Sequence, residues 1–183
     1  MKFLAAHPYR ELTIPILMAE TSVERTSFYT SFTSIPDVVK AILHDVRVEL
    51  STAGWTAYFA GNNDPEQDVH SAINAAVQTW KKHGPMLRAI SEAAPLDPEL
   101  EQLWIGQVLG SASAASANRI KKDQALGLAV DGNALELATA VNRLIVSYLN
   151  DQLGRPGKPA VAVNTIASTL ETMVIGAIYG RRP

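Results

Sequence analysis

Apolar residues recur at spacings of three and four through most of this sequence, and no stretch alternates as a half-buried strand does. The spacing is clearest in residues 36–50, 65–82, 134–153 and 160–179. It places apolar side chains on one face of a helix. The pattern therefore predicts an all-α fold, with short helices near the N-terminus and long helices after them.

The first part of the chain predicts two short helices joined by a turn. Residues 3–7 hold barely one helical turn before Pro8, which disfavours helix in the preceding residue. Thr13 is a good N-cap for a helix that ends near Glu20. Residues 21–23 then form a turn, and a second short helix follows over residues 24–31.

The remainder predicts longer helices separated by turn-forming residues. Ser34 is expected to cap a long helix over residues 36–60, and Gly84-Pro85 is expected to end the next one. Further N-caps are expected at Asp97 and at Asn133 or Asp131, and a C-cap at Gly180. The predicted helices after residue 60 are 65–82, 86–94, 97–122, 133–153 and 160–179.

Composition narrows the class of protein. The chain has 183 residues, 47% of them apolar, and a net charge of −2, which is typical of a soluble globular protein. It has no cysteine, which excludes disulfides and thiolate metal sites. No apolar run approaches the ~20 residues that span a bilayer, and the N-terminus lacks the apolar core of a signal peptide. We therefore expect a cytoplasmic protein without a membrane partner.

Catalytic and metal-binding motifs are missing from the sequence. The four histidines are scattered, and Asp68 and His70 are two apart on a predicted helix, so they face different ways. Metalloprotease, nucleophile-elbow and phosphate-loop spacings do not occur. The sequence therefore predicts no enzyme, no cofactor and no metal.

The residues from 13 to 32 have the spacing of a helix-turn-helix. Phe28 and Phe32 lie four apart and share one helix face, while Tyr29 points elsewhere. On spacing alone, this pair of helices could equally be a packing corner of an all-helical protein.

The stretch also resembles the DNA-binding motif of the TetR (tetracycline repressor) family, which reads roughly T-V-x-x-I-A-x-x-A-G-V-S-x-x-T-F-Y-x-H-F-x-S-K-x-x-L. The Phe28-Tyr29-x-x-Phe32 spacing is the most specific part of the match. The closing Ile178-Tyr179-Gly180 and the region from Trp80 to His83 resemble the ethionamide-regulator branch of that family. The positions that match without a gap are Thr13, Ile14, Leu17, Val23, Phe28, Tyr29, Phe32, Ser34 and Val38.

This resemblance implies that the second short helix enters the major groove of operator DNA. A dimer would place two such helices about 34–36 Å apart, one turn of DNA. Thr13 and Tyr29 would touch the DNA backbone. The residues that would face base edges or phosphates are Arg25, Thr26, Ser27, Thr30 and Ser31.

Several positions depart from the family pattern. Ser22 replaces the turn glycine, Glu24 replaces the capping serine, and Ile35 replaces a phosphate-binding lysine. Residues 1–45 contain four basic and five acidic residues, a net charge of −1, which opposes phosphate binding. Two explanations stay open. Either the sequence begins inside a longer protein and a basic first helix precedes it, which we favour, or the helix-turn-helix of residues 13–32, called the DNA reader below, is degenerate.

The resemblance also implies an apolar effector cavity in the larger part of the chain. For any one of its apolar residues, an ordinary core position is the alternative. The polar anchors would be Gln107, Ser111 and Asn142, and the small residues of 110–117 would either enlarge the cavity or allow close helix packing. The apolar lining would comprise Trp55, Trp80, Met86, Leu87, Ile90, Trp104, Val108 and Ile145.

The last two helices carry apolar residues on more than one face. The resemblance implies that two copies of this helix pair form a four-helix dimer seam, and the alternative is that one chain buries them alone. The seam residues would be Leu144, Tyr148, Ile166, Leu170, Met173 and Val174.

Together these features predict a helix-turn-helix DNA-binding domain over residues 1–45 and a helical ligand-binding and dimerisation domain over residues 46–183. The function they indicate is a homodimeric transcriptional regulator that binds double-stranded operator DNA. We expect a repressor that a small apolar effector releases from DNA. The alternative is a dimeric ligand-binding module whose DNA reader is degenerate or truncated.

Overall fold

Four polar side chains cap the N-termini of helices at positions where the sequence predicts N-caps. A computed structural model of the protein describes residues 3–50, 56–61, 64–155, 157 and 159–180. In it the Thr13 hydroxyl accepts a hydrogen bond from the Ile16 amide at 3.4 Å. Ser34, Asp97 and Asn133 likewise accept amide hydrogen bonds in the first turns of their helices, at 3.0–3.3 Å. Each cap satisfies an amide that has no partner within its helix.

The described residues form helices and connecting turns, without a strand, which confirms the all-α prediction. Tyr9–Glu11 and Ala94–Leu96 are 3₁₀ turns. None of the described helices is long and apolar enough to cross a membrane. The helices are α1 Phe3–Ala6, α2 Ile14–Thr21, α3 Arg25–Ser31, α4 Ile35–Leu50, α5 Thr56–Ala60, α6 Pro65–Ala93, α7 Pro98–Glu101, the π-helical segment Gln102–Leu109, α8 Gly110–Ala125, α9 Ala134–Leu153 and α10 Val163–Tyr179.

Helix α6 continues through Gly84-Pro85, so the predicted break there is wrong. Proline removes only one backbone hydrogen bond from a helix, and α6 is held on several sides by α4, α5, α9 and α10. Gly84 serves a different purpose, since a Cβ at this position would lie 2.3 Å from the Leu153 carbonyl oxygen. The glycine therefore allows α6 to approach the end of α9 closely.

The predicted helix over residues 97–122 is helical throughout but not α-helical throughout. Its middle, Gln102–Leu109, is π-helical and joins α7 to α8 without a turn. π-Helical segments are rare and occur frequently at functional sites. The change of backbone hydrogen bonding changes which side chains share a face.

The long helix predicted over residues 36–60 is helical over Ile35–Leu50 and Thr56–Ala60. The part between these two helices, which includes Trp55, lies outside the described residues. Val39, Leu43 and Val46 of α4 are buried, and α4 packs against α6 and the π-helical segment. Because only Phe32–Ser34 separate α3 from α4, the short N-terminal helices are joined directly to the large core.

A network of buried charged and polar groups joins α5, α6, α8 and α10. Arg119 is 2% exposed, and it donates hydrogen bonds to Asp68 and Asp123 at 2.7 Å each and to the Tyr58 carbonyl at 2.6 Å. The Tyr179 hydroxyl donates to Asp123 at 2.9 Å. Burial alone would lower the pKa of Arg119, but its bonds to the two carboxylates raise that pKa above the ordinary value. The guanidinium therefore stays charged.

Candidate functional site

The turn between α2 and α3 requires a strained backbone at Ser22. Its φ of 54° lies in the left-handed region, and every other described residue with a positive φ is a glycine. A left-handed conformation is unfavourable for residues with a Cβ. Ser22 therefore adopts a conformation that favours glycine, the residue that stands at this position in the pattern given above.

Helix α3 buries one side chain and presents the others to solvent. Phe28 is 4% exposed, and its ring centroid lies 5.8 Å from that of Phe32. Tyr29 is 46% exposed, which agrees with its predicted outward direction. The predicted DNA-contacting residues of α3, Arg25, Thr26, Ser27, Tyr29, Thr30 and Ser31, are all exposed.

The beginning of α3 carries an anion that does not cap the helix. Glu24 occupies the N-cap position, but its side chain accepts no hydrogen bond from the first turn. The next residue is Arg25, whose guanidinium lies 5.6 Å from the centre of the Tyr29 ring one turn further along, a cation–π contact. Thr13, which is also exposed, uses its hydroxyl to cap α2.

The lysine of α4, the helix that follows α3, forms ion pairs with acidic residues. Lys40 forms an ion pair with Glu99 of α7, and its ammonium lies 3.6 Å from the Asp37 carboxylate. The hydrogen bond to Glu99 is the main reason that the pKa of Lys40 is raised. Hydrogen bonds from Thr33 similarly hold the pKa of Asp37 below its usual value. Arg25 is therefore the cation that α3 itself can offer to a phosphate or a base.

An apolar cavity of about 190 Å³ lies between α4, α6, α9 and the helix that contains the π-helical segment. Seven of the predicted ligand-binding residues line it: Trp80, Leu87, Trp104, Val108, Ser111, Asn142 and Ile145. Six further lining residues were not predicted from the sequence: Val46, Phe59, Ala76, Leu109, Ala112 and Val146. Val46 had a visible signal, because it belongs to the apolar stripe of α4.

Three other predicted ligand-binding residues do not line this cavity. Met86 and Ile90 are buried elsewhere in the core, whereas Gln107 is exposed. Trp55 lies in the part of the chain that the structure does not describe. The small residues of 110–117 lie partly at the cavity and partly against α9. Ala112 faces the cavity, and Ser113 is buried against α9, where its hydroxyl accepts a hydrogen bond from Asn142 at 3.3 Å.

The polar groups of the cavity wall differ in how they are satisfied. The Trp80 indole N–H donates to the Asn150 side-chain oxygen at 2.8 Å. The Trp104 indole nitrogen is buried and has no hydrogen-bond partner among the described residues. A buried hydrogen-bond donor without an acceptor destabilises the folded protein. An acceptor placed within reach of the Trp104 indole N–H would therefore be favourable.

The predicted dimerisation residues separate into two groups. Ile166 and Leu170 are 0% exposed and Val174 is also buried, all within a single chain. Ile166 and Leu170 therefore leave no exposed side-chain surface to a second copy, and Val174, 6% exposed, leaves little. Met173 is 43% exposed, and Leu144 and Tyr148 are half-buried, so these three retain surface for a partner. No cluster of metal-ligating side chains occurs in the described ranges.

Comparisons with known proteins agree with this architecture. The family described as "Transcriptional regulator EthR, C-terminal domain" matches residues 69–180, more than half of the chain. A solved structure from Syntrophomonas wolfei str. Goettingen, whose name places it among TetR-family transcriptional regulators, superposes with a TM-score of 0.75 at 13% identity, covering 95% of this chain and 87% of that one. A search of curated proteins finds no match. The chain belongs to the TetR family of transcriptional regulators, and its larger part is a C-terminal domain of the EthR type.

Proposed function

We propose that this protein is a ligand-responsive DNA-binding regulator, and specifically a repressor that a small apolar effector releases from its operator. The observation that carries the proposal is the exposure of α3. A helix held to the core by the single buried side chain of Phe28 leaves its polar side chains free to enter a major groove. The residues assigned to DNA contact are Thr13, Arg25, Thr26, Ser27, Tyr29, Thr30 and Ser31.

The proposed operator complex contains two copies of the chain, because TetR-family regulators dimerise. The exposed edge of α9 and α10 supports this assignment. Met173 exposes a large apolar side chain, and the neighbouring outward positions Thr172, Gly176 and Ala177 are small enough to allow close helix approach. Leu144 and Tyr148 of α9 would complete the seam, while the buried Ile166, Leu170 and Val174 support it from within.

The proposed effector occupies the apolar cavity and acts on the reader through α4. Val46 lines the cavity, and α4 leads directly to α3. An effector changes the DNA affinity only by the difference between its affinities for the DNA-bound and released states. The domain boundary at residues 45 and 46 remains a prediction, since α4 belongs to both the reader and the cavity.

Charge favours a second candidate, a dimeric ligand-binding module whose reader binds DNA weakly or not at all. Glu24 is exposed at the beginning of α3, and Lys40 is paired with Glu99. Ile35 stands where the family pattern has a phosphate-binding lysine. A reader with so few available cations releases few counterions when it binds.

Fluorescence anisotropy with a labelled duplex from the protein's own upstream region separates the two candidates. For the regulator we expect saturable, sequence-selective binding that weakens with salt. If Arg25 is the main cation of each reader, a dimer neutralises about two to four phosphates, and the logarithmic salt slope is roughly −2 to −4. A folded dimer that binds no DNA at low salt would instead support the ligand-binding module.

Two charge variants test the placement of the reader. Arg25→Ala should weaken binding, and Glu24→Gln should strengthen it at low salt by removing repulsion between the carboxylate and phosphates. The matched controls are Lys121→Ala and Glu136→Gln, which change exposed charges on α8 and α9. Unaltered affinity in both reader variants would remove the beginning of α3 from the DNA interface.

Sedimentation velocity tests whether the exposed edge of α9 and α10 forms the dimer interface. Met173→Glu places a charge on the exposed edge of α10 and should shift the protein towards the monomer. Leu135→Glu is the matched control because Leu135 is a similarly exposed apolar residue, 47% exposed, on the opposite side of α9 from Leu144. Equal dimerisation in the two variants would place the seam elsewhere.

A further inference from the structure

The apolar cavity has a polar neighbour on the other side of a shared wall. A groove of about 380 Å³, bounded by α6, α9 and the π-helical segment, is lined by charged residues as well as apolar ones. Trp104, Leu109 and Val146 line both spaces. Three side chains therefore separate an apolar cavity from a groove that is lined partly by charged residues.

Some charged side chains at the groove form ion pairs, and others do not. Arg88 donates to Glu92 at 2.8 Å, and Arg155 donates to Asp151 at 3.0 Å. Arg143 lines the groove, and its guanidinium has no ion pair or hydrogen bond with any described residue. Because it precedes Val146 by three residues on α9, it shares a helix face with a residue of the shared wall.

One carboxylate in the groove is also unengaged within the described residues. Glu101 lines the same space and ends α7, where the π-helical segment begins. It would repel an anion and attract a cation. Arg143 lies three residues before Val146 and Glu101 three residues before Trp104, so a positive and a negative group compete for the head of a ligand at the wall. The buried Trp104 indole N–H, a donor without a partner among the described residues, favours a head with acceptor oxygens there.

The unpaired indole N–H of Trp104 favours a local rearrangement of the shared wall. Its indole nitrogen is buried without a partner among the described residues, so a small movement that brings an acceptor to this N–H is favourable. Trp104 also lies in the π-helical segment, where the backbone departs from the more stable α-helical pattern. A ligand head with acceptor oxygens would satisfy the indole N–H as it crosses the wall.

We infer that the effector is an amphipathic carboxylate that spans this wall, with its hydrocarbon chain in the apolar cavity and its carboxylate at Arg143 in the groove. This inference rests on the proposed effector role of the cavity. A dry cavity of ~150 Å³ accepts benzene, so the cavity of about 190 Å³ accommodates on the order of six to eight carbon atoms. Octanoate has this length.

Isothermal titration calorimetry with octanoate, octanol and octylamine tests the inference. Arg143→Gln should weaken octanoate binding about fivefold, leave octanol binding unchanged and strengthen octylamine binding. Glu101→Gln should strengthen octanoate binding about twofold. Lys121→Gln, which removes an exposed cation of α8 outside the groove, should leave all three affinities unchanged.

The outcomes also separate this inference from the proposed function. Octanol that binds and lowers DNA affinity, with no effect of Arg143→Gln on octanoate, would overturn the carboxylate assignment alone. Preferential binding of octylamine that Glu101→Gln abolishes would overturn it in favour of a cationic head. If neither octanol nor octanoate binds to folded protein, both the inference and the proposed apolar effector fail, while the anisotropy measurements still judge the DNA reader.

Discussion

Replacing Arg119 should destabilise the protein more than replacing any exposed cation. Arg119→Met keeps a side chain of similar length but removes three hydrogen bonds, at 2.7, 2.7 and 2.6 Å. It also removes a cation–π contact in which the guanidinium lies 5.3 Å from the centre of the Tyr58 ring. Asp68 and Asp123, which are 1% and 4% exposed, would then both lose the guanidinium of Arg119 from their buried site.

The expected loss follows from this burial. Removing one partner of a buried ion pair typically costs about 3–5 kcal/mol, because the remaining charge stays desolvated and unpaired. For a chain of this size, such a loss lowers the melting temperature by roughly 10 °C. Arg155→Met is the matched control. It breaks another arginine–aspartate pair of the same four-residue spacing, but one that is 66% and 60% exposed, and it should cost under about 1 kcal/mol.

Urea unfolding followed by circular dichroism measures the stability of both variants, at one protein concentration because the stability of any oligomer depends on concentration. Neutralising the stranded carboxylates, in Arg119→Met combined with Asp68→Asn and Asp123→Asn, should recover part of the loss. If Arg119→Met costs no more than Arg155→Met, the network does not hold α5, α6, α8 and α10 together. If the triple variant recovers nothing, uncompensated charge is not the cause of the loss.

Three further changes test individual positions. Ser22→Gly should stabilise the protein by about 0.5–1 kcal/mol in urea unfolding, because glycine tolerates a φ of 54°; an unchanged midpoint would show that the turn is not strained. Gly84→Ala should cost roughly 1–3 kcal/mol in the same assay, since its Cβ would lie 2.3 Å from the Leu153 carbonyl oxygen, and native stability would exclude this close approach. Burial raises the pKa of Tyr179 above its ordinary value of 10.0. The folded protein therefore keeps this proton when the unfolded chain loses it, and the melting temperature should fall as the pH rises above 10, less steeply in Tyr179→Phe; equal slopes would assign the alkaline loss to other groups.

Local chemistry made much of the fold predictable. Thr13, Asp97 and Asn133 cap helices because short polar side chains reach the amides of the first turn, a property that depends on neighbours in sequence only. The burial of Phe28 and the exposure of Tyr29 likewise follow from helical spacing. Gly180 ends α10 with a φ of 62°, as the C-cap prediction requires.

Contacts between distant residues were not predictable from these local rules. Gly84 has the appearance of a helix breaker until Leu153, far along the chain, is placed against it. Arg119 and Asp68 are 51 residues apart, and their bond depends on how α6 and α8 pack. A signal did exist, because Asp68 lies beside Val69 and one turn before Ala72 on the apolar face of its helix. A charge at such a position must either find a partner or destabilise the core.

The π-helical segment accounts for the absence of Gln107, which the resemblance implied as a polar anchor, from the cavity lining and for the presence of Leu109. In an α-helix, residues three and four apart share a face, so a lining that contains Trp104 is expected to include Gln107 and Val108. A π-helix bonds each residue to the one five positions away, and its wider turn rotates Gln107 out of the lining while bringing Leu109 above Trp104. Leu109 then completes, with Trp104 and Val146, the wall between the cavity and the groove. The π-helical backbone thus changes which side chains share a face, and it also places Leu109 in the wall that an amphipathic effector would have to cross.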